Sequence, residues 1–251
     1  MIVGASETGK TNTVMSILRG LPRKDAHDNI KWVRPGFEKC VLFTTSEESN
    51  DPLYDKLREP ESKKNPIGMG EDFETYPYED FDEWFEHMRE CAAEAKETGA
   101  ELCQTLVIYD DFVGGHVEKN GATLMWHFAI KHRKYNCSIA VLSHLASETD
   151  PLVKSAAKYW FLMPGLTDND ISHNLNMFVG VNLAILKGEY HLAERWTDPP
   201  DNFLLIDKKT TDPNKRLRFG WYRYRVPSVE APSENKKGAG KPKKTKEDLS
   251  D

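Results

Sequence analysis

Close to the start of the chain, Gly4-Ala5-Ser6-Glu7-Thr8-Gly9-Lys10-Thr11 fits the pattern G-x-x-x-x-G-K-[ST] and directly follows the apolar run Met1-Ile2-Val3. A loop of this kind turns successive backbone N–H groups inward around an anion, and its glycines take dihedrals that a Cβ would obstruct. It needs a strand to fix its start and a helix whose N-terminus faces the anion. Asn12–Arg19 supplies the helix, with Val14, Ile17 and Leu18 on one face. The loop thus constrains the fold to strand, loop and helix within a mostly parallel α/β sheet. In this pattern Lys10 reaches the β- and γ-phosphates and Thr11 ligates Mg²⁺. Glu7 is an anion inside a phosphate loop, so its side chain is expected to point to solvent. Met1–Val3 is short for such a strand, which typically runs about five or six residues, and a truncated start is expected.

The rest of the chain must build the sheet around that unit. Its 251 residues, 39% hydrophobic and 29% charged, suit one substantial core. No apolar run approaches the ~20 residues of a spanning helix and no secretory signal opens the sequence, so an intracellular protein with no membrane partner is expected. Cys40, Cys91, Cys103 and Cys137 are scattered without a C-x-x-C pair, which favours reduced thiols over metal ligands. A net charge of −6 argues against coating nucleic acid over the whole surface. It leaves open a contact confined to a few loops.

Lys39–Thr45 reads as a strand, followed by a proline-punctuated surface excursion over Ser46–Gly70 with a short helix around Leu53–Leu57. Phe81, Trp84, Phe85, Met88, Ala92 and Ala95 then recur at helical spacing, giving an amphipathic helix over Tyr78–Lys96 whose acids face water. Thr105–Tyr109 is a continuous apolar run that ends in Asp110-Asp111. A buried parallel strand has this composition, and acids at its carboxyl end sit where ligands bind. Beside a phosphate loop, Asp110 is the expected Mg²⁺-side acid and Asp111 the base that orients an attacking water. Ala122–Tyr135 is helical in pattern and ends in Lys131-His132-Arg133-Lys134, cations that either serve the helix dipole or, through Arg133, reach a neighbouring subunit's nucleotide. Ser138–Leu142 is a further strand with Ser143-His144 at its tip, where His144 either senses the γ-phosphate or caps the surface. A short helix (Leu152–Ala157), a strand (Tyr159–Met163) and a helix from Asp168 to about Phe178 complete a five-strand sheet. Phe203–Asp207 and Leu217–Tyr224 read as a hairpin on its edge. Residues 1–226 form the expected catalytic domain. Residues 227–251 are low-complexity and lysine-rich and are expected to be a disordered tail, either simply solvated or a nuclear-address or nucleic-acid-binding segment.

Over Met1–Arg225, the order of GASETGKT, LVIYDD, HRKYNCSIAVLSH and FLLID resembles the DNA-packaging ATPases of large double-stranded DNA viruses and virophage-like elements, a branch of the FtsK-HerA superfamily. The resemblance implies a RecA-like P-loop NTPase fold of the additional-strand class, with ATP and Mg²⁺ as cofactors. It further implies a homo-oligomeric ring that threads double-stranded DNA into a capsid, with a capsid or portal protein as partner and a site in host cytoplasm, nucleus or virion. Each nucleotide would be completed by the neighbour's Arg133. The family commonly has Gln at the tip of the strand after that Arg, where this chain has His144. Two other readings of the residues stand beside it: a nucleoside or nucleotide kinase, and a scaffold that binds nucleotide without hydrolysing it.

Overall fold

Strands buried on both faces of a parallel sheet must be apolar at successive positions, and Lys39–Thr44 and Thr105–Tyr109 meet that requirement almost throughout. The computed structural model describes residues 1–4, 8–24, 30–33, 36–45, 51–62, 64–111, 119–144, 149–175, 182–195, 203–210, 212 and 216–220. One eight-stranded sheet organises them, in the order β10-β9-β8-β1-β7-β6-β4-β5. Its strands are β1 (Ile2–Val3), β4 (Lys39–Thr44), β5 (Phe73–Pro77), β6 (Thr105–Tyr109), β7 (Cys137–Ser143), β8 (Tyr159–Leu162), β9 (Phe203–Asp207) and β10 (Leu217–Gly220). Strands β8 to β5 through the centre are parallel, whereas β9 and β10 add antiparallel at the β8 edge. A separate two-stranded ribbon joins β2 (Leu21–Lys24) to β3 (Ile30–Val33).

Alternation along each strand divides the core into two layers. Val3, Val41, Phe43, Val107, Tyr109 and Val141 join one cluster, together with residues of α3 (Phe81–Thr98), α4 (Lys119–Lys131), α5 (Pro151–Ala156) and α6 (Leu183–Arg195). Ile2, Cys40, Leu42, Leu106, Ile108 and Leu142 join the other, with α1 (Lys10–Arg19) and α2 (Pro52–Arg58). Phe43 is the hub of the first layer. Its ring meets Phe81 at 5.3 Å, Trp84 at 5.2 Å and Tyr109 at 5.9 Å, all edge-on. The helical spacing of Phe81, Trp84, Phe85 and Met88 serves this contact, as their periodicity requires.

The seven strands expected from sequence, the hairpin included, are all present. The eighth, β5, is the sheet's outer parallel strand, and its half-polar FETYP composition hid it. The ribbon formed by β2 and β3, and helix α6, were likewise not anticipated. The helix expected from Asp168 to about Phe178 starts at Asp168 and continues as a π-helix over Asp170–Leu175, its expected last turn lying outside the described residues. Cys40 and Cys137 are buried, Cys91 is half-buried and Cys103 exposed, all as free thiols. No helix among the described residues is long and apolar enough to cross a membrane. The tail at 227–251 lies outside the described residues.

Removing the Phe43 ring leaves a cavity that its aromatic neighbours Phe81, Trp84, Tyr109 and Tyr76, the last stacked at 5.7 Å, cannot collapse into. Phe43→Ala is expected to lower unfolding free energy by about 3–5 kcal/mol, measured by chemical denaturation; a loss below about 1 kcal/mol contradicts the hub role.

Candidate functional site

The candidate site forms where the parallel strands end. Gly4 follows β1, Asp110 and Asp111 follow β6, and His144 follows β7, so all stand at the carboxyl edge of the sheet. β1 has only two residues in the ladder, yet it is fixed on both sides: Met163 N–H donates to Val3 O at 2.8 Å and Gly4 N–H donates to Ser143 O at 3.2 Å. Gly4 has no room for a side chain, because a Cβ there would lie 2.4 Å from Met163 Cβ and 2.8 Å from Thr8 Oγ1. Gly9 takes a left-handed conformation (φ 89°, ψ 26°) immediately before α1, which only glycine adopts without strain. The α1 N-terminus is thereby aimed at the loop. Thr13 anchors that first turn, its hydroxyl donating to Gly9 O at 3.0 Å.

Lys10 Nζ is buried and donates to Gly4 O at 3.0 Å, and lies 3.2 Å from His144 Nδ1. Because an ammonium only donates, Nδ1 acts as the acceptor and the imidazole proton sits on Nε2. Nε2 in turn lies 2.9 Å from Asp111 Oδ1. Asp111 itself has φ 50°, an uncommon backbone conformation for a non-glycine residue that aims its carboxylate toward the β7 tip. Lys10, His144 and Asp111 therefore form one line across the sheet edge.

Asp110 sits deeper. Its Oδ2 accepts a hydrogen bond from the Tyr54 hydroxyl, and its backbone carbonyl accepts one from the Tyr78 hydroxyl. Burial holds its carboxyl above the usual carboxylate range, opposed by the Tyr54 hydrogen bond and the charge of Lys10. Burial likewise raises the Tyr54 phenol well above its ordinary value, reinforced by the Asp110 charge, while a hydrogen bond with the Thr11 hydroxyl acts in the opposite direction. Thr11, Tyr54, Asp110 and Lys10 are thus one cluster. The Thr11 hydroxyl and Asp110 carboxylate are hard oxygen donors, the set that suits Mg²⁺.

Of the residues singled out in the sequence, the structure brings together Gly4, Thr8, Gly9, Lys10, Thr11, Asp110, Asp111 and His144. Ala5, Ser6 and Glu7 lie outside the described residues. Arg133 does not join them: it is exposed in the turn His132–Tyr135, at the amino end of β7. The seven residues of β7 put it roughly 20 Å from His144, at about 3.3 Å per residue. Sequence reasoning missed Tyr54 and Tyr78. Tyr54 falls in the short helix expected around Leu53–Leu57, but that helix is expected in a surface excursion, whereas the helix that Asp51-Pro52 starts buries Tyr54 on one face with Leu57.

In the sheet, β7 lies between the loop strand β1 and the acid strand β6. A parallel sheet of that order, a glycine loop opening a helix and an acid pair at the facing strand end define the fold of a RecA-like P-loop ATPase. No protein-family model matches the sequence, and no curated protein matches it. Solved structures do share the fold. The genome packaging NTPase B204 from Sulfolobus turreted icosahedral virus 2, in complex with AMPPCP, is similar over 87% of this chain and 94% of that one, with TM-score 0.51 and 16% identity. EssC (ATPases 2 and 3) from Geobacillus thermodenitrificans is similar over 88% of this chain, with TM-score 0.53 and 14% identity. The cytoplasmic domain of the Thermomonospora curvata type VII secretion ATPase EccC gives TM-score 0.57 at 11% identity over 92% of this chain. The chain spans 38% of the EssC structure and 26% of the EccC structure, but nearly all of B204.

The lack of space at Gly4 predicts a contrast between two glycines. Gly4→Ala is expected to destabilise by about 1–3 kcal/mol, since Met163 Cβ cannot move away as a side-chain end would. Gly188→Ala, in α6 with nothing within 4 Å of the new methyl, is expected to stabilise by up to about 1 kcal/mol. Denaturation midpoints of the two variants check the pair; equal shifts would contradict it.

Proposed function

We propose that this chain is a Mg²⁺-dependent ATPase that moves double-stranded DNA, of the kind that packages a viral genome into a capsid. The observation that carries the reading is the convergence of Lys10, Thr11, Asp110, Asp111 and His144 at one sheet edge behind a glycine loop. The fold shared with a viral genome packaging NTPase supports the packaging role.

In this reading the loop amides of Gly4 to Thr11 hold the phosphates. Lys10 Nζ exchanges its contacts with Gly4 O and His144 for phosphate oxygens. Thr11 and Asp110 would hold Mg²⁺, which when bound neutralises charge on the β- and γ-phosphate oxygens. Asp111 orients water for attack at the γ-phosphorus and accepts its proton as the bond to the β–γ bridging oxygen breaks. His144 holds that carboxylate in place and, through Nδ1, registers whether Lys10 is engaged elsewhere. Arg133 acts on the nucleotide of a neighbouring copy, because its own is on the opposite edge. On that edge Arg133 stands near Lys158 and Lys209: desolvation lowers the Lys158 ammonium, and the like charges of Arg133 and Lys209 lower it further. A homo-oligomeric ring placing this edge against the next copy's loop gives those cations an anionic partner. Residues 1–226 form the motor in this reading, the lysine-rich 227–251 tail addresses a nucleus or touches DNA, and a capsid or portal protein receives the ring in the host cell or virion.

Phosphate release by the wild-type chain should rise on addition of duplex DNA, with a ring-sized mass by light scattering. Lys10→Ala and Asp111→Asn should each lower turnover by at least about a hundredfold; unchanged turnover in either would remove that residue from the chemistry. Mixing Arg133→Ala with Asp111→Asn subunits should restore part of the activity, and failure in every mixture argues against action across the subunit boundary.

A further inference from the structure

The Tyr54 hydroxyl donates to Asp110 Oδ2, on the carboxylate assigned to the cation. A phenol has one proton to give, and here the carboxylate takes it. Asp110 is engaged through Oδ2, and its other oxygen remains for a cation's hydration shell.

The phenol is built into the core. Tyr54 is completely buried and its ring stacks on Phe73 at 6.4 Å with planes 16° apart. Its helix, α2, starts at a firm cap, Asp51 Oδ1 accepting from Leu53 N–H at 2.8 Å with Pro52 in the first turn. Leu57, one turn on, is also fully buried and its carbonyl accepts from Met69 N–H at 2.9 Å. Tyr78 holds the Asp110 backbone from the other side. A ring fixed in this way cannot swing aside without unpacking α2, which sets it apart from a plug that a cation pushes out.

We propose that Tyr54 is a positioning residue for the divalent cation, relaying the fixed position of α2 to Asp110 through its hydroxyl so that this carboxylate faces the nucleotide in advance. This rests on the Mg²⁺-nucleotide site proposed above. It assigns a role to a residue outside both the phosphate loop and the acid strand. Partners that orient a metal's ligands are worth roughly 10- to 100-fold in metal affinity, and Tyr54 acts at that level without touching the metal.

The test is nucleotide binding by calorimetry on the full chain, with ATP in EDTA and across a Mg²⁺ titration. Tyr54→Phe keeps the ring and its stack on Phe73. It is expected to leave Mg²⁺-free affinity unchanged and to raise the half-saturating Mg²⁺ concentration by roughly ten- to a hundredfold. An unchanged half-saturation overturns the proposal, and a lower one overturns it in favour of a tyrosine that competes with the cation. Hydrogen exchange of the wild type gives a second reading that needs no variant: residues 52–58 should stay as protected with Mg²⁺-ATP as without it, and lost protection there likewise overturns the relay. If Mg²⁺ does not tighten ATP binding by the wild type, the proposed function fails and the relay with it; if it does and Tyr54→Phe behaves as wild type, only the relay fails.

Discussion

The site depends on a strand with only two ladder residues. Ile2 and Val3 are held between β7 and β8, with Ile2 in register with Leu142 and Phe161 and Val3 with Ser143 and Leu162. That double registration puts His144 and Met163 beside Gly4 as the chain leaves the sheet, and it fixes where the loop begins. A strand paired on one side could slide or fray; one paired on both sides transmits the position of the whole sheet to the first glycine. The aromatic layer around Phe43 matters for the same reason. It locks β4 to β6, and the amide of Asp110 then donates to Phe43 O at 2.9 Å, so the acid pair is set by core packing rather than by its own loop.

Much of this was legible in the chain because its elements obey one-dimensional rules. The loop has a fixed spacing, the buried strands are uninterrupted apolar runs, and α3 displays its period in Phe81, Trp84, Phe85 and Met88. The hairpin at the β8 edge announced itself by two apolar runs around Asp212-Pro213-Asn214. What escaped lacked such a signal. β5 buries Phe73 but leaves Glu74, Thr75 and Tyr76 half-exposed, so its sequence resembles a polar connection. Tyr54 escaped for a different reason: nothing local distinguishes a tyrosine that packs from one whose hydroxyl reaches a carboxylate 56 residues away in the chain. The assembly of the carboxyl edge could be foreseen from Gly4, Lys10 and Asp110; the tyrosines that hold it are a product of tertiary structure.

Asp110 and Asp111 form one dipeptide in two different surroundings. The first is enclosed, its charged form disfavoured by burial and supported by Tyr54 and Lys10. The second is more open and faces an imidazole. In the proposed mechanism these different surroundings match different tasks, one carboxylate holding position and the other exchanging a proton. The backbone makes the division, since the left-handed φ of Asp111 turns its side chain out of the pocket that Asp110 occupies.

The outer flank at β5 has a consequence for how copies of this chain can meet. Its residues are already engaged: Glu74 pairs with Lys39 at 2.7 Å and accepts from the Tyr76 hydroxyl, Arg58 lies over the Phe73 ring, and the strand ends at Pro77, which has no N–H to offer. Such an edge is a poor template for another strand. On this flank the sheet does not grow by backbone pairing, which is indifferent to sequence. Recognition here has to be carried by side chains, and contacts of that kind can be rewritten one residue at a time.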